Sequence, residues 1–311
     1  MMAAADLVSA AASSFLEDGA RTDARRGEDG TTTLAELITG IVRLSAWLVL
    51  LAMLFVPIEW LFSLHERQWR GRFIDFVYYF LNGLLPGILL APLLATLAML
   101  VHAATPQAYI DWLAGMPFVA KLVAALIVGE VGAYWGHRWC HEVPFLWRFH
   151  AIHHSAEHID WLVNSRAHPL DIVFVRLCGL APVYMLGLAS TNAGGMDAMI
   201  PVYVTLVGTV WSFLVHANVR WRLGIIEALV ATPAFHHWHH TNGAEGRDRN
   251  YAAMFPWIDR LFGTLHLPKD QWPPVYGIDR PVRGGIAGEL LHPFRADEPE
   301  VSPTRPVASG D

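Results

Sequence analysis

The sequence predicts an all-α, integral-membrane helical bundle of about four to six spans, with a helical cap carrying a histidine-box di-metal site. Three observations predict it. Of 311 residues, 54% are hydrophobic and only 16% charged, well under the roughly 25% charged usual for soluble domains. Several apolar stretches reach the roughly 20 residues a helix needs to cross a bilayer. Histidines recur as HxxxH at His137 and His141, HxxHH at His150, His153 and His154, and HxxHH again at His236, His239 and His240. In a helix, residues four apart share a face.

Residues 1–38 read as a flexible tail. They lack the basic start and continuous apolar run of a secretory signal, and only one short helix, Asp6 to Glu17, is expected there. Apolar spans follow at Ile41–Phe62, Phe73–His102, Phe118–Trp135, Ile172–Leu188 and Met196–Val215. The second is long and contains Pro86 and Pro92, so it is either one kinked helix or a helical hairpin.

Taken as one helix, it makes the loops alternate in charge. Arg67, Arg70 and Arg72 follow the first span, Arg138, Arg148 and Arg166 the third, and Arg220 and Arg222 the fifth, whereas ATPQAYIDWLAGM and STNAGG carry no Lys or Arg. Positive charge collects on one side, which is expected to be cytoplasmic. The histidine motifs fall on that side. Segments Gly136–Asp171 and Asn218–Pro281 form the expected cap, within a membrane-embedded domain of residues 39–282. Residues 283–311, Pro-rich and acidic towards the end, are expected to be a disordered tail.

A net charge of −6, with no basic block interleaved with aromatics, argues against nucleic-acid binding. Two cysteines, Cys140 and Cys178, give no disulfide framework. There is no GxGxxG opening a nucleotide fold and no HPGG haem motif. An Arg-rich surface around Arg220 and Arg222 would suit an acidic partner.

Neutral imidazole ligates iron, zinc, copper and nickel, and eight imidazoles exceed what one ion takes. A two-metal centre follows. Zinc is disfavoured: HExxH is absent, since His141-Glu142 is followed by Val, Pro and Phe. An all-histidine site beside lipid suits iron, with O2 and long-chain substrates reaching it through apolar surroundings. A transporter would place its ligands near the membrane midplane, often on broken helices, and not just beyond the span ends; a metal-dependent hydrolase is the other competing class. The isolated His65, His102, His266 and His292 read as interfacial or hydrogen-bonded residues, and an exposed or interfacial position is the expectation for His237 too. Glu130 and Arg176, both costly in hydrocarbon, read as a structural pair.

The segments WGHRWCHEVPFLWRFHAIHHS, NSRAHPLD, HANV, PAFHHWHHT and WIDRLFGTLHLP, over roughly Val128 to Pro268, resemble the fatty acid hydroxylase and sterol desaturase superfamily of integral-membrane di-iron oxygenases. The resemblance implies that His137, His141, His150, His153, His154, His236, His239 and His240 ligate two iron ions. It makes His168 and His216 additional ligands or orienting partners, and Asn218 a hydrogen bonder behind the ligands; His158 matches less clearly. Asp171 and Asp259 become salt-bridge or capping residues. It also implies O2 as co-substrate, a membrane lipid as substrate, and electrons from a cytochrome b5-like or ferredoxin-like donor. The expected reaction is hydroxylation of a long-chain lipid, acyl or alkylglycerol-like. Desaturation, or hydroxylation of a sterol, hopanoid or carotenoid, is the alternative.

Overall fold

The computed structural model describes residues 34–68, 71–189, 195–280, 282 and 284–295; the helix expected over Asp6–Glu17 lies outside them. The chain divides into two compact units, Met1–Leu48 and Val49–Asp311. In the first, the described residues are the start of helix α1 (Leu34–Phe62), with Leu34, Ile38, Val42 and Trp47 exposed along it. An apolar helix exposed in this way requires lipid around it.

The second unit holds the end of α1 and helices α2 (Arg72–Ala104), α3 (Gln107–Ala114), α4 (Phe118–Glu142), α5 (Pro144–His154), α6 (Pro169–Met185), α7 (Ile200–His216), α8 (Pro233–His239), α9 (Pro256–Phe262) and α10 (Gly285–Leu291). Among the described residues, four helical stretches are long and apolar enough to cross a membrane: Leu34–Phe62, Arg72–Ala104, Phe118–Glu142 and Gly195–His216. The protein is therefore an integral-membrane helical bundle. α2 runs unbroken through Pro86 and Pro92, so the hairpin alternative is excluded. The segment expected at Ile172–Leu188 is helical as α6, whose 17 residues end at Met185. Proline sets several helix starts. Pro144, Pro169, Pro233 and Pro256 each occupy the first turn of α5, α6, α8 and α9, where a missing N–H costs nothing and the fixed φ favours the helix.

α6 packs closely against α4 through small residues. A Cβ on Gly132 would lie 2.2 Å from the Cys178 carbonyl oxygen, and one on Gly136 would lie 2.7 Å from the Cys178 Cβ. Only glycine permits such an approach, as in other close helix pairs in membranes. On its other flank α6 packs Leu180 against Leu90 and Leu94 of α2. Val183 joins Ala125 of α4 and Ile200 of α7.

Buried polar side chains of the long helices reach up and hold the cap. The Glu59 carboxylate accepts from the Trp161 and Asn218 amides at 2.8 and 2.9 Å. Asn82 donates to the Ser165 and Ala167 carbonyls at 2.9 and 2.8 Å. Asp75 pairs with Arg166 at 2.6 Å. The expected Glu130–Arg176 pair does not form. Glu130 instead accepts from the amides of Met254 and Phe255 before α9, because buried amides outside a helix ladder need an acceptor. Arg176 has no hydrogen bond or ion pair among the described residues.

Helical structure extends past residue 283, where a disordered tail was expected. α10 is anchored there by buried Glu289, and the Leu290 carbonyl lies 3.3 Å from His168 Nε2.

Candidate metal centre

Four helices bring the histidines together. α4 carries His137 and His141 one turn apart at its end, α5 carries His150, His153 and His154, α7 ends on His216, and α8 with the residue after it carries His236, His239 and His240. They form two clusters. His137, His141, His150, His154 and His239 make one, and His153, His216, His236 and His240 the other; within each, the candidate ligand atoms lie within 4.8 Å of one another. In both HxxHH sets the i, i+4 pair enters one cluster and the remaining histidine the other, so the adjacent pairs 153/154 and 239/240 divide between them. The clusters share a wall: the His153 and His154 rings are 5.5 Å apart, and His154 and His240 4.5 Å.

Partners behind the rings fix their tautomers. Nδ1 of His137, His153, His216 and His239 lies 2.7, 2.9, 2.7 and 2.9 Å from the carbonyls of Tyr251, Arg166, Ser212 and Arg249. A carbonyl only accepts, so each Nδ1 carries the proton and each Nε2 presents a lone pair. His150 Nδ1 faces Asp171 at 3.0 Å, and His141 Nδ1 faces Asp248 at 3.1 Å. Such partners orient metal-binding imidazoles and raise their basicity.

The lone pairs converge. In the four-imidazole cluster, Nε2 of His216 lies 3.2, 3.0 and 3.1 Å from Nε2 of His153, His236 and His240. In the five-imidazole cluster, Nε2 of His141, His154 and His239 is buried with no hydrogen-bond partner. Ligand nitrogens on one ion at about 2.0–2.1 Å stand about 3 Å apart, close to the separations found. Opposed lone pairs repel unless a cation lies among them, so the donor set fits two metal ions.

Burial, followed by the neighbouring imidazoles, pushes His154, His236, His239 and His240 well below the ordinary histidine value. His153 is lowered to about 3 for the same reasons. These rings are therefore neutral near pH 7, the form that binds metal. Burial alone would raise Asp171, but His150 beside it and the hydrogen bonds from His150 and Cys140 hold it below the usual carboxylate value. A polar cavity of about 270 Å³ reaches the five-imidazole cluster at His141, His154 and His239, with Arg247, Asn242 and Asp279 among its walls.

Of the additional candidates, His216 stands inside a cluster and the other two do not. His168 caps α6, with Nδ1 accepting from the Leu170 amide at 3.1 Å and Nε2 turned to the Leu290 carbonyl, so both its nitrogens are engaged. Asn218 exchanges hydrogen bonds with the backbone of His65 at 3.0 and 2.9 Å and touches no clustered ring. His158 lies outside both clusters. His237 is fully buried, not exposed: Nε2 donates to the Ala217 carbonyl and Nδ1 meets the Tyr276 hydroxyl. Asp259 caps backbone as expected, accepting from the Tyr251 and Ala252 amides at 2.7 and 3.0 Å. Sequence reasoning missed Asp248, a single acid in GRDRN with no motif around it.

Fold and paired clusters define the class, a helical membrane protein built around a polyhistidine centre. Residues 122–264 match the fatty acid hydroxylase family. The chain is 31% identical over 243 residues to the ornithine lipid hydroxylase OlsE of Rhizobium tropici, covering 74% of this chain and 69% of that protein. It is 28% identical over 159 residues to human alkylglycerol monooxygenase, covering 51% of this chain and 33% of that protein. With methylsterol monooxygenase 2-2 of Arabidopsis thaliana it shares 26% identity over 145 residues, 47% of this chain and 52% of that one. No solved structure matches the chain significantly. The chain belongs to the fatty acid hydroxylase and sterol desaturase superfamily, a group of oxidoreductases.

Proposed function

We propose that the chain is a di-iron, O2-dependent hydroxylase acting on a C–H bond of a long-chain membrane lipid. The observation that carries this reading is the convergence of nine imidazoles on two adjacent points, beside helices able to sit in a bilayer. His137, His141, His150, His154 and His239 would hold one iron, and His153, His216, His236 and His240 the other. When bound, the irons supply oxidation of an unactivated C–H bond by O2, with electrons from a separate cytochrome b5-like or ferredoxin-like donor. The protein's own contribution is to hold the ligand rings in one tautomer, through Asp171, Asp248 and four backbone carbonyls, and to exclude competing groups from the centre.

The relatives' names favour lipid substrates with a polar head, an acyl lipid or an alkylglycerol-like ether. Desaturation by the same centre, or hydroxylation of a sterol, hopanoid or carotenoid, is the alternative. The clusters lie at the Arg-rich ends of the spans, which supports a cytoplasmic active site. Of the Arg-rich surface proposed for an acidic partner, Arg220 is exposed and Arg222 is held by the protein. Its guanidinium is bound by buried Glu227 at 3.1 Å and by the Pro268 and Gln271 carbonyls, so little of its charge is left for a partner.

Metal analysis of the purified full chain tests the reading, together with mass spectrometry of lipids from cells with and without the gene. Close to two irons per chain and a lipid that gains one oxygen mass are expected. His153→Ala is expected to lower the iron content and abolish turnover. Full activity in iron-free protein or in that variant would overturn the proposal, and loss of two hydrogens would make the reaction a desaturation.

A further inference from the structure

Arg176 is a cation that nothing in the fold uses. It sits on the inward stripe of α6: Pro169 and Val183, seven residues to either side, are buried, as is Leu180 one turn on. Residues seven apart on a helix point in nearly the same direction, drifting only about 20°. The stripe therefore aims Arg176 between α2, α4 and α7, whose Leu90, Ala125 and Ile200 pack on its neighbours Leu180 and Val183.

Arg176 is a partly exposed residue, not one sealed into the core. Among the described residues it makes no hydrogen bond or ion pair, and burial is the only influence acting on it, with no carboxylate near enough to matter. Glu130 on the adjoining α4, Asp75 on α2 and Asp171 on α6 itself are committed to the Met254 and Phe255 amides, to Arg166, and to His150 and Cys140. A charge in a membrane-embedded bundle is costly and ordinarily faces a partner. Here the protein supplies none.

We propose that Arg176 anchors the oxoanion, carboxylate or phosphate, of a lipid that enters the bundle, so that the substrate class is an acidic or zwitterionic lipid and not a neutral one. Arginine's planar fork matches either oxoanion with two parallel hydrogen bonds. Asp171, which holds His150, precedes Arg176 by about 7.5 Å of helix rise. A lipid seated on Arg176 therefore lies within its own length of the metal centre. The inference rests on the lipid-hydroxylase reading for its consequence, but its test needs no turnover.

Equilibrium binding of three chain-matched probes to the full chain in uncharged detergent decides it: oleate, oleoyl lysophosphatidate and the neutral ether 1-oleylglycerol. The wild type is expected to bind at least one anionic probe about tenfold or more tighter than the neutral ether, a difference of about 1.4 kcal/mol. The preferred anion assigns carboxylate or phosphate. Arg176→Met should remove the preference and leave affinity for the neutral ether unchanged, while Arg176→Lys should keep part of it. Melting temperature and metal content separate this from a structural role. Removing an unpaired cation should hold or raise the melting temperature, and a fall accompanied by metal loss would overturn the assignment. Equal affinity for all three probes, or a preference that survives Arg176→Met, would also overturn it. Confirmed hydroxylation with no anion preference would remove this inference alone. An anion preference without hydroxylation would remove only the catalytic reading.

Discussion

Asp171 shows how a single carboxylate behind a clustered imidazole can fix its orientation. It accepts from His150 Nδ1 at 3.0 Å and from the Cys140 thiol at 3.4 Å, which fixes the ring and enriches its Nε2. Asp171→Asn keeps the shape but offers a weaker acceptor and removes the charge. Loss of such a partner typically costs 10–100-fold in metal affinity, and chelator competition on the purified protein is expected to show a loss of about that size confined to the five-imidazole cluster. Unchanged affinity would mean that the His137 and His239 carbonyl contacts already suffice. At this scale the eight motif histidines were legible because helical spacing is written in the chain. His216, alone in VHANV, carried no spacing of its own, and only the resemblance pointed to it. Asp248 and the orienting carbonyls of Tyr251, Arg249, Arg166 and Ser212 had no side-chain signature to read.

Among the elements, α4 and α6 set the height and rotation of the first cluster, since His137 and His141 continue the helix that carries Gly129, Gly132 and Gly136. Placing a Cβ 2.2 Å from the Cys178 carbonyl oxygen forces backbone against backbone, which no rotamer change relieves. Gly132→Val is expected to destabilise the fold by about 1–3 kcal/mol or more and to displace His137, lowering both the melting temperature in detergent and the metal content. Gly208→Ala on α7, where nothing lies within 4 Å of the added carbon, should change neither and serves as the control. The long apolar helices were legible from hydropathy, and the unbroken α2 agrees with the charge alternation read by taking it as one helix. The partner of Glu130 was not legible: which buried amides a carboxylate meets depends on the tertiary placement of Met254 and Phe255, 124 and 125 residues away. The helical 284–295 segment was hidden for a similar reason, because it is held by contacts with His168, which caps α6, and with Phe149 of α5.

Across the whole molecule, the metal centre joins the parts that the long helices alone leave separate. One cluster draws on α4, α5 and α8, and the other on α5, α7 and α8, so two bound ions would tie two of the apolar helices to both cap helices. In their absence the converging lone pairs repel, and burial disfavours the protons that might otherwise relieve them. Ions that bind only the folded chain stabilise it by an amount that grows with their concentration, about 2.7 kcal/mol per site at a hundredfold excess over Kd. Chelation is therefore expected to lower the melting temperature, and titration with ferrous iron under anaerobic conditions should restore it in a saturable manner. Limited proteolysis of the stripped protein should cut first between residues 233 and 254, where α8 and the following loop supply ligands to both clusters, while α2 and α4 stay protected. His216→Ala should reload with about half the metal and recover part of the melting temperature, because its loss disables the second cluster and leaves the first intact. Stripped protein that melts and digests like the loaded form would show that the imidazoles are held by the fold alone, and that the centre contributes chemistry without contributing stability.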